Sequence, residues 1–122
     1  MAIVSVFIGG GLGSLCRFGI GKIFPFLSFP YGTLMANIIS CLIMGILVGM
    51  IQFEFLKSEY RLLLVTGFCG GFSTFSTFSA EIVQLYQDQA YISAVAYLLV
   101  SILSGVLSII VGLWISRTII GV

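Results

Sequence analysis

The residues whose types could do chemistry are concentrated in one apolar stretch, residues 65–81, with the sequence VTGFCGGFSTFSTFSAE. Glycines there precede an alternation of hydroxyl residues and phenylalanines, and all of these hydroxyl residues and glycines are weak helix formers. In hydrocarbon, backbone groups freed by a helix break are tolerated only where they are buried in protein or line a cavity. Unwound carbonyls in membranes bind cations, and half-helix N-termini bind anions. The stretch therefore predicts an ion site at a broken helix, with a flexible, self-bonded kink as the alternative.

The phenylalanines of this stretch indicate which ion such a site would serve. Phe75 and Phe78 are three residues apart and share a helical face, with Phe72 one step before them. A ring edge is positive and attracts an anion, whereas a ring face attracts a cation. Because the rings alternate with hydroxyl donors, we interpret them as one wall of a passage for a small anion. Lipid contact or core packing is the alternative for an aromatic stripe.

Further polar groups lie inside other apolar stretches. Asn37 has an amide that is costly to leave unpaired in lipid, and Thr33 lies four residues earlier on the same helical face. Such an amide is either functional or a hydrogen-bonding contact between helices. Arg17 is either an interfacial residue or a fixed charge that draws anions inward, and Glu81 has the same ambiguity with the opposite sign.

A fourth set of polar residues, Tyr97, Ser101, Ser104 and Ser108, falls at helical spacing near the end of the chain. These hydroxyls lie on roughly one face of the predicted helix. The face is either a hydroxyl track for an ion that sheds water or a set of contacts between helices.

The elements that must position these residues follow from composition. The chain is 60% hydrophobic and 7% charged with a mean hydropathy of +1.25, whereas soluble domains carry about 25% charged residues. A water-soluble enzyme is therefore excluded. A helix needs about 20 apolar residues to cross a bilayer, so the 122 residues hold a single all-α domain of four crossings. The expected spans are about 2–21, 31–53, 60–86 and 91–116, with the third one broken.

Charge and cysteine content exclude further classes of function. The net charge of +1 leaves no basic surface for nucleic acid. The chain has no histidine, and its three cysteines lie on separate apolar segments without a CxxC spacing, so no catalytic set is recognisable and we expect no enzyme. The GxxxG spacings at Gly9 and Gly13 and at Gly45 and Gly49 predict close packing of helices.

Three segments of the chain resemble the signature regions of one membrane-protein family. GGGLGSLCRF, GTLMANIISCLIMG and TGFCGGFSTFSTFSAE resemble, in order and over nearly the whole chain, those of the Fluc (CrcB) fluoride channels. The resemblance implies passive export of toxic cytoplasmic fluoride through two pores in an antiparallel, dual-topology dimer of four-helix subunits. It also implies a structural sodium ion at the centre, held by backbone carbonyls at the positions of Gly70 and Ser73.

The same resemblance implies a fluoride path along side chains of all four spans. One departure is Gly105, where the hydroxyl track of the fourth helix usually continues, so the residues that complete the track are left open. The residues that match the path are Phe75, Phe78, Ser76, Thr77, Asn37, Thr33, Arg17, Glu81, Tyr97 and Ser101.

Charge also bears on orientation and partners. Lys57, Arg61 and Arg117 fall on one side of the four-span arrangement, and Arg17 and Lys22 fall toward the other. Three against two is a weak bias that is compatible with insertion both ways. We expect a homodimer surrounded by lipid in a bacterial plasma membrane, with a heterodimer of paired homologues as the alternative.

Two rival functions are compatible with four spans. A small dual-topology drug or ion exporter needs a membrane-embedded carboxylate, and this chain has none in the middle of a span, because Glu81 lies late in the third one and the first has no acid. A membrane packing or assembly protein needs only GxxxG motifs, but that function leaves the broken third span unexplained.

Overall fold

The computed structural model describes residues 1–121, and these residues form helices and short connections without a strand. Three long helices are continuous: α1 (Ala2–Ile23), α2 (Tyr31–Gln52) and α5 (Tyr91–Ile120). The remaining crossing, Ser58–Gln87, is built from several pieces. All four crossings are long and apolar enough to span a membrane. The helices begin and end within four residues of the expected spans, and the largest difference is α5, which runs on to Ile120.

The third crossing is broken near its middle. After a short 3₁₀ turn at Ser58–Tyr60, a π-helix covers Leu62–Cys69 and continues as one α-turn at Gly70–Phe72, and we call residues 62–72 α3. Ser73 and Thr74 are then extended, with ψ angles of 158° and 119°. The helix resumes as α4 (Phe75–Gln87). The expected interruption is therefore present, and it falls two residues after the adjacent glycines rather than at them.

The π-helix was not predicted from the sequence. Its i→i+5 pattern is rare and is found mostly as single turns near functional sites, whereas here it lasts eight residues. Its residues, LLLVTGFC, contain no proline and no polar run that would distinguish them from an ordinary α-helix.

Glycines hold α1 against α3 at backbone distance. A Cβ added at Gly9 would lie 2.0 Å from the carbonyl oxygen of Leu63, and one added at Gly13 would lie 2.1 Å from that of Phe68. From the other side, a Cβ at Gly71 would lie 2.3 Å from the carbonyl oxygen of Gly10. The GxxxG spacing of α1 therefore packs as expected, and its partner is α3, the half of the third crossing that precedes the break.

A second set of small residues joins α2 to α5. A Cβ at Gly45 would lie 2.3 Å from the carbonyl oxygen of Ile109, and one at Gly112 would lie 2.4 Å from that of Leu42. Gly49 packs against the buried Ser116. Close backbone approach through small residues is the usual way that membrane helices associate, and here it makes α2 and α5 a second closely packed pair beside α1 and α3.

The buried apolar core lies beyond the break, around α4. Leu34, Phe78, Leu85, Ala94 and Tyr97 form one cluster there. By contrast, large apolar side chains along the outer faces of α1 and α5 are exposed over the whole length of both helices. Such faces are suited to lipid or to another membrane helix.

Candidate functional site

The extended residues of the break are paired to α2 through Asn37. The backbone N–H of Thr74 donates to Asn37 Oδ1 at 2.8 Å, and Asn37 Nδ2 donates to the carbonyl oxygen of Thr74 at 3.3 Å. One side-chain amide thus satisfies both backbone groups of a buried residue. This pairing removes the cost of freed backbone in an apolar environment, and it leaves one N–H of the Asn37 amide for other partners.

α2 also holds the chain just before the break. The buried Ser40 hydroxyl donates to the carbonyl oxygen of Cys69 at 3.0 Å. The same oxygen accepts from the backbone N–H and the hydroxyl of Ser73, each at 3.0 Å. Ser40 was not predicted as a site residue, although a hydroxyl three residues after Asn37, on the same helical face, was the available signal.

Two carbonyls are released at the break. In an unbroken helix, the carbonyl oxygens of Gly70 and Ser73 would accept from the N–H groups of Thr74 and Thr77. Those N–H groups instead donate to Asn37 and to the hydroxyl of Thr74, which caps α4 at 3.3 Å. Within residues 1–121, no hydrogen bond to either carbonyl is found. Gly70 is exposed, so this part of the break lies on an uncovered side of the chain.

The two predicted phenylalanines lie on α4 beside the break, in very different surroundings. Phe78 is buried and meets Tyr97 edge to face, with ring centroids 5.0 Å apart. Phe75 is 81% exposed, and its ring centroid lies 5.8 Å from that of Phe78. The stripe is therefore neither wholly core nor wholly surface, and it runs from the core to the open side of the chain.

Glu81 is held by hydroxyls from two other helices. Thr33 Oγ1 donates to one carboxylate oxygen and Tyr97 Oη to the other, each at 2.7 Å. Since Tyr97 also packs on Phe78, a continuous chain of contacts runs from Thr33 to the ring stripe.

Two cavities approach the break. The first, which we call the phenylalanine cavity, has a volume of about 640 Å³ and is mostly apolar. Its polar linings include Asn37, Ser73 and Ser101, and both Phe75 and Phe78 border it. The second, the arginine cavity, measures about 400 Å³.

The arginine cavity has a different lining. Arg17 and Ser14 of α1 border it together with Thr33, Thr74 and Thr77. Thr74, whose backbone is paired with Asn37, lines both cavities and therefore lies between them. An arginine beside several hydroxyls makes this cavity the more favourable of the two for an anion.

The remaining predicted residues are placed as follows. Ser76 is exposed at the start of α4, with its hydroxyl 3.3 Å from that of Thr74. Ser101 faces the phenylalanine cavity, and its buried hydroxyl oxygen has no hydrogen-bond partner among the described residues. Ser104 and Ser108 instead donate to backbone carbonyls of their own helix. The structure thus brings most of the predicted residues to the break. Ser104 and Ser108 are apart from it, since neither lines one of the two cavities.

Known proteins match this chain over most of its length. The family model described as CrcB-like protein, Camphor Resistance (CrcB), matches residues 4–113. A protein of Pyrococcus abyssi named fluoride-specific ion channel FluC is 43% identical, over 90% of this chain and 91% of its own. Proteins of the same name are 40% identical in Azobacteroides pseudotrichonymphae, over 90% and 91% of the two chains, and 38% identical in Haemophilus influenzae strain PittGG, over 95% and 93%. With its apolar four-crossing architecture and broken third helix, this chain belongs to the CrcB family.

Proposed function

We propose that this chain is a fluoride channel of the plasma membrane, a multi-pass transport protein and not an enzyme. Its relatives carry that function in their names. The observation that carries the proposal is the break braced by Asn37, which lies between an arginine-lined cavity and a cavity bordered by two phenylalanines. A packing protein needs neither a broken helix nor the polar side chains that pair its freed backbone in the membrane.

The geometry suits a small, strongly hydrated anion. Permeation requires groups that replace water in steps and bind weakly enough to release the ion. Arg17 would raise the local anion concentration in its cavity, and the hydroxyl of Thr77, which accepts a hydrogen bond from that of Thr74, would supply the first donor there. On the other side of Thr74, ring edges, the second N–H of Asn37 and the Ser101 hydroxyl would continue the path.

Glu81 distinguishes the channel proposal from a proton-coupled exporter. Both of its carboxylate oxygens accept hydroxyl hydrogen bonds, from Thr33 and from Tyr97, so the side chain is held between α2 and α5 and neither oxygen is left for a substrate. An exporter needs a carboxylate that is free to exchange a proton for its substrate. We therefore expect fluoride movement without proton counter-transport.

A central sodium ion is the finer part of the proposal. The carbonyl oxygens of Gly70 and Ser73 fit a hard monovalent cation, because they are oxygen ligands without N–H partners within the described chain. Two such oxygens are too few for one cation, so a second copy would have to contribute its own pair. When bound, the cation would supply positive charge close to the anion path.

We further propose an antiparallel, dual-topology homodimer with two pores, which the exposed side of the break supports. The exposed side of the break carries Gly70, Phe75 and Ser76, which a second copy would cover. The small difference in positive charge between the two ends of the molecule permits both orientations. A paired homologue of opposite bias would make an equivalent heterodimer.

Fluoride efflux from liposomes loaded with fluoride tests the function directly, with chloride-loaded liposomes as the control for selectivity. Purified protein should release fluoride and retain chloride, and the fluoride rate should not depend on a proton gradient. Fluoride retention at the level of protein-free liposomes would contradict the proposal, and proton-coupled release would indicate an exporter.

The ring-edge role is tested by Phe75→Ile and Phe78→Ile. Each substitution keeps an apolar side chain but removes the positive ring edge, so we expect fluoride efflux to fall about tenfold, the rate equivalent of about 1.4 kcal/mol. Phe7→Ile is the matched control, because Phe7 is 80% exposed on the outer face of α1. Unchanged efflux in both α4 variants would show that the rings only pack.

A further inference from the structure

One buried hydroxyl that borders the phenylalanine cavity makes no hydrogen bond to the described residues. Ser101 Oγ is buried, and no hydrogen-bond partner for it exists among residues 1–121. Other serines of α5 form hydrogen bonds within their own helix: Ser104 donates to the carbonyl oxygen of Val100, and Ser108 donates to that of Ser104. An unpaired buried hydroxyl is costly, so Ser101 requires a partner from outside the described chain.

The next turn of α5 leaves room for that partner. Gly105 lies four residues after Ser101, on the same helical face, and it lines the same cavity. A Cβ added at Gly105 would meet only Cys41 Sγ, at an ordinary contact distance of 3.6 Å. This glycine is therefore not required for close helix packing, in contrast to Gly112 on the same helix.

We propose that Ser101 and Gly105 form a binding site for one ordered water molecule, which occupies the space that a side chain at position 105 would fill. A buried water needs two to four polar partners. The Ser101 hydroxyl supplies one, and the uncommitted N–H of Asn37 borders the same cavity and supplies a second. Fluoride would then meet Asn37 and Ser101 at this point through the water, whose own hydrogen atoms remain free to bond to the ion.

The effect of this water on transport rests on the proposed fluoride function. The water gives the path a donor at a turn of α5 where the chain itself has none, because the hydroxyls of Ser104 and Ser108 are already bonded. Fluoride would therefore pass this turn beside a fixed water rather than beside a side chain. Gly105 is then a position that determines how much hydration the ion keeps.

Two substitutions at Gly105 separate water binding from simple space filling. Gly105→Ala puts a methyl group in the water position, and we expect fluoride efflux from liposomes to fall about tenfold, the value of one lost hydrogen bond. Gly105→Ser supplies a hydroxyl in place of the water, and its efflux should therefore exceed that of Gly105→Ala. Gly11→Ala is the control, because a Cβ there has nothing within 4 Å and changes helix propensity equally.

Structures of the parent, Gly105→Ala and Gly105→Ser proteins at a resolution that shows ordered water give a readout independent of transport. We expect a water within hydrogen-bond distance of Ser101 Oγ in the parent and its loss in Gly105→Ala. A Ser101 hydroxyl bonded back to its own helix without water would overturn the proposal, as would equal efflux in Gly105→Ala and the parent, or equally low efflux in both Gly105 variants. A parent protein that releases no fluoride would refute the channel function, while the water site would still be decided by the structures.

Discussion

Asn37 acts on the backbone of another helix in the way that a neighbouring strand would. Its amide pairs with the N–H and the carbonyl of Thr74, the residue at which the third crossing is fully extended. Ser40, one helical turn later, holds Cys69 on the other side of the break. At the residue scale, the interruption is therefore an ordered structure with defined partners, and a flexible kink is a poorer description of it.

Removing the Asn37 amide should destabilise the folded protein. Asn37→Ala leaves the N–H and the carbonyl of buried Thr74 unpaired, so we expect the free energy of unfolding to fall by about 2 kcal/mol. Thermal unfolding in detergent measures the change. Thr118→Ala is the matched control, because its exposed hydroxyl only donates back to Trp114. Equal midpoints for the two variants would mean that Asn37 does not brace the break.

At the scale of elements, α3 depends on α1 and α4 depends on α2 and α5. The glycines of α1 admit the carbonyls of the π-helix at distances that exclude any Cβ. Beyond the break, Thr33 of α2 and Tyr97 of α5 hold α4 through Glu81. The two halves of the third crossing thus pack mainly on different helices, while α2 bonds to both of them, to α3 through Ser40 and to α4 through Thr33.

The packing of α1 on α3 can be tested with a single methyl group. Gly9→Ala would force the helices apart, because its Cβ would lie 2.0 Å from the carbonyl oxygen of Leu63. Overpacking of this kind costs about 2 kcal/mol, so we expect a lower thermal unfolding midpoint. Gly19→Ala, where nothing lies within 4 Å, should keep or raise the midpoint. A Gly9→Ala protein as stable as the parent would contradict the observed contact.

At the scale of the whole molecule, a single copy of the chain leaves one side of the break in the third crossing uncovered. The outer faces of α1 and α5 are apolar throughout, as lipid requires, but the exposed side of the break combines a freed carbonyl region with Phe75 and Ser76. Polar backbone is not stable against lipid. A second copy that covers this side is the simplest arrangement compatible with a membrane, and opposite orientation would place two equivalent breaks at the same depth.

The orientation of the chain in cells can be measured with cysteine labels. In a variant whose three native cysteines are replaced by alanine, Ser58→Cys should react with an impermeant maleimide before lysis in about half of the molecules, because the charge bias between the two ends is weak. Asp88→Cys, at the opposite end of the third crossing, should give a similar fraction. Complete labelling of one position together with complete protection of the other would indicate a single orientation and overturn the dual-topology homodimer.

The sequence by itself determined the features that depend on neighbouring residues. Hydropathy and the scarcity of charge predicted four crossings, because each span buries its own backbone hydrogen bonds in a helix and needs only apolar side chains around it. Glycine and hydroxyl content likewise predicted the interruption of the third crossing, and GxxxG spacing predicted close packing. These properties are local, so a window of about 20 residues contains all the information that they need.

Only the tertiary structure decided which side chain hydrogen-bonds to which freed backbone group or buried polar group. The pairing of Asn37 with Thr74, the bond of Ser40 to Cys69 and the two hydroxyls on Glu81 join residues that are 16 to 48 positions apart. No local sequence pattern predicted the π-helix. Nor did one predict that the Ser101 hydroxyl is left without a partner while those of Ser104 and Ser108 bond to their own helix. The physical reason is that a freed backbone group or a buried hydroxyl is satisfied by whatever the packing of other helices brings within about 3 Å, and helix packing is a property of the folded chain.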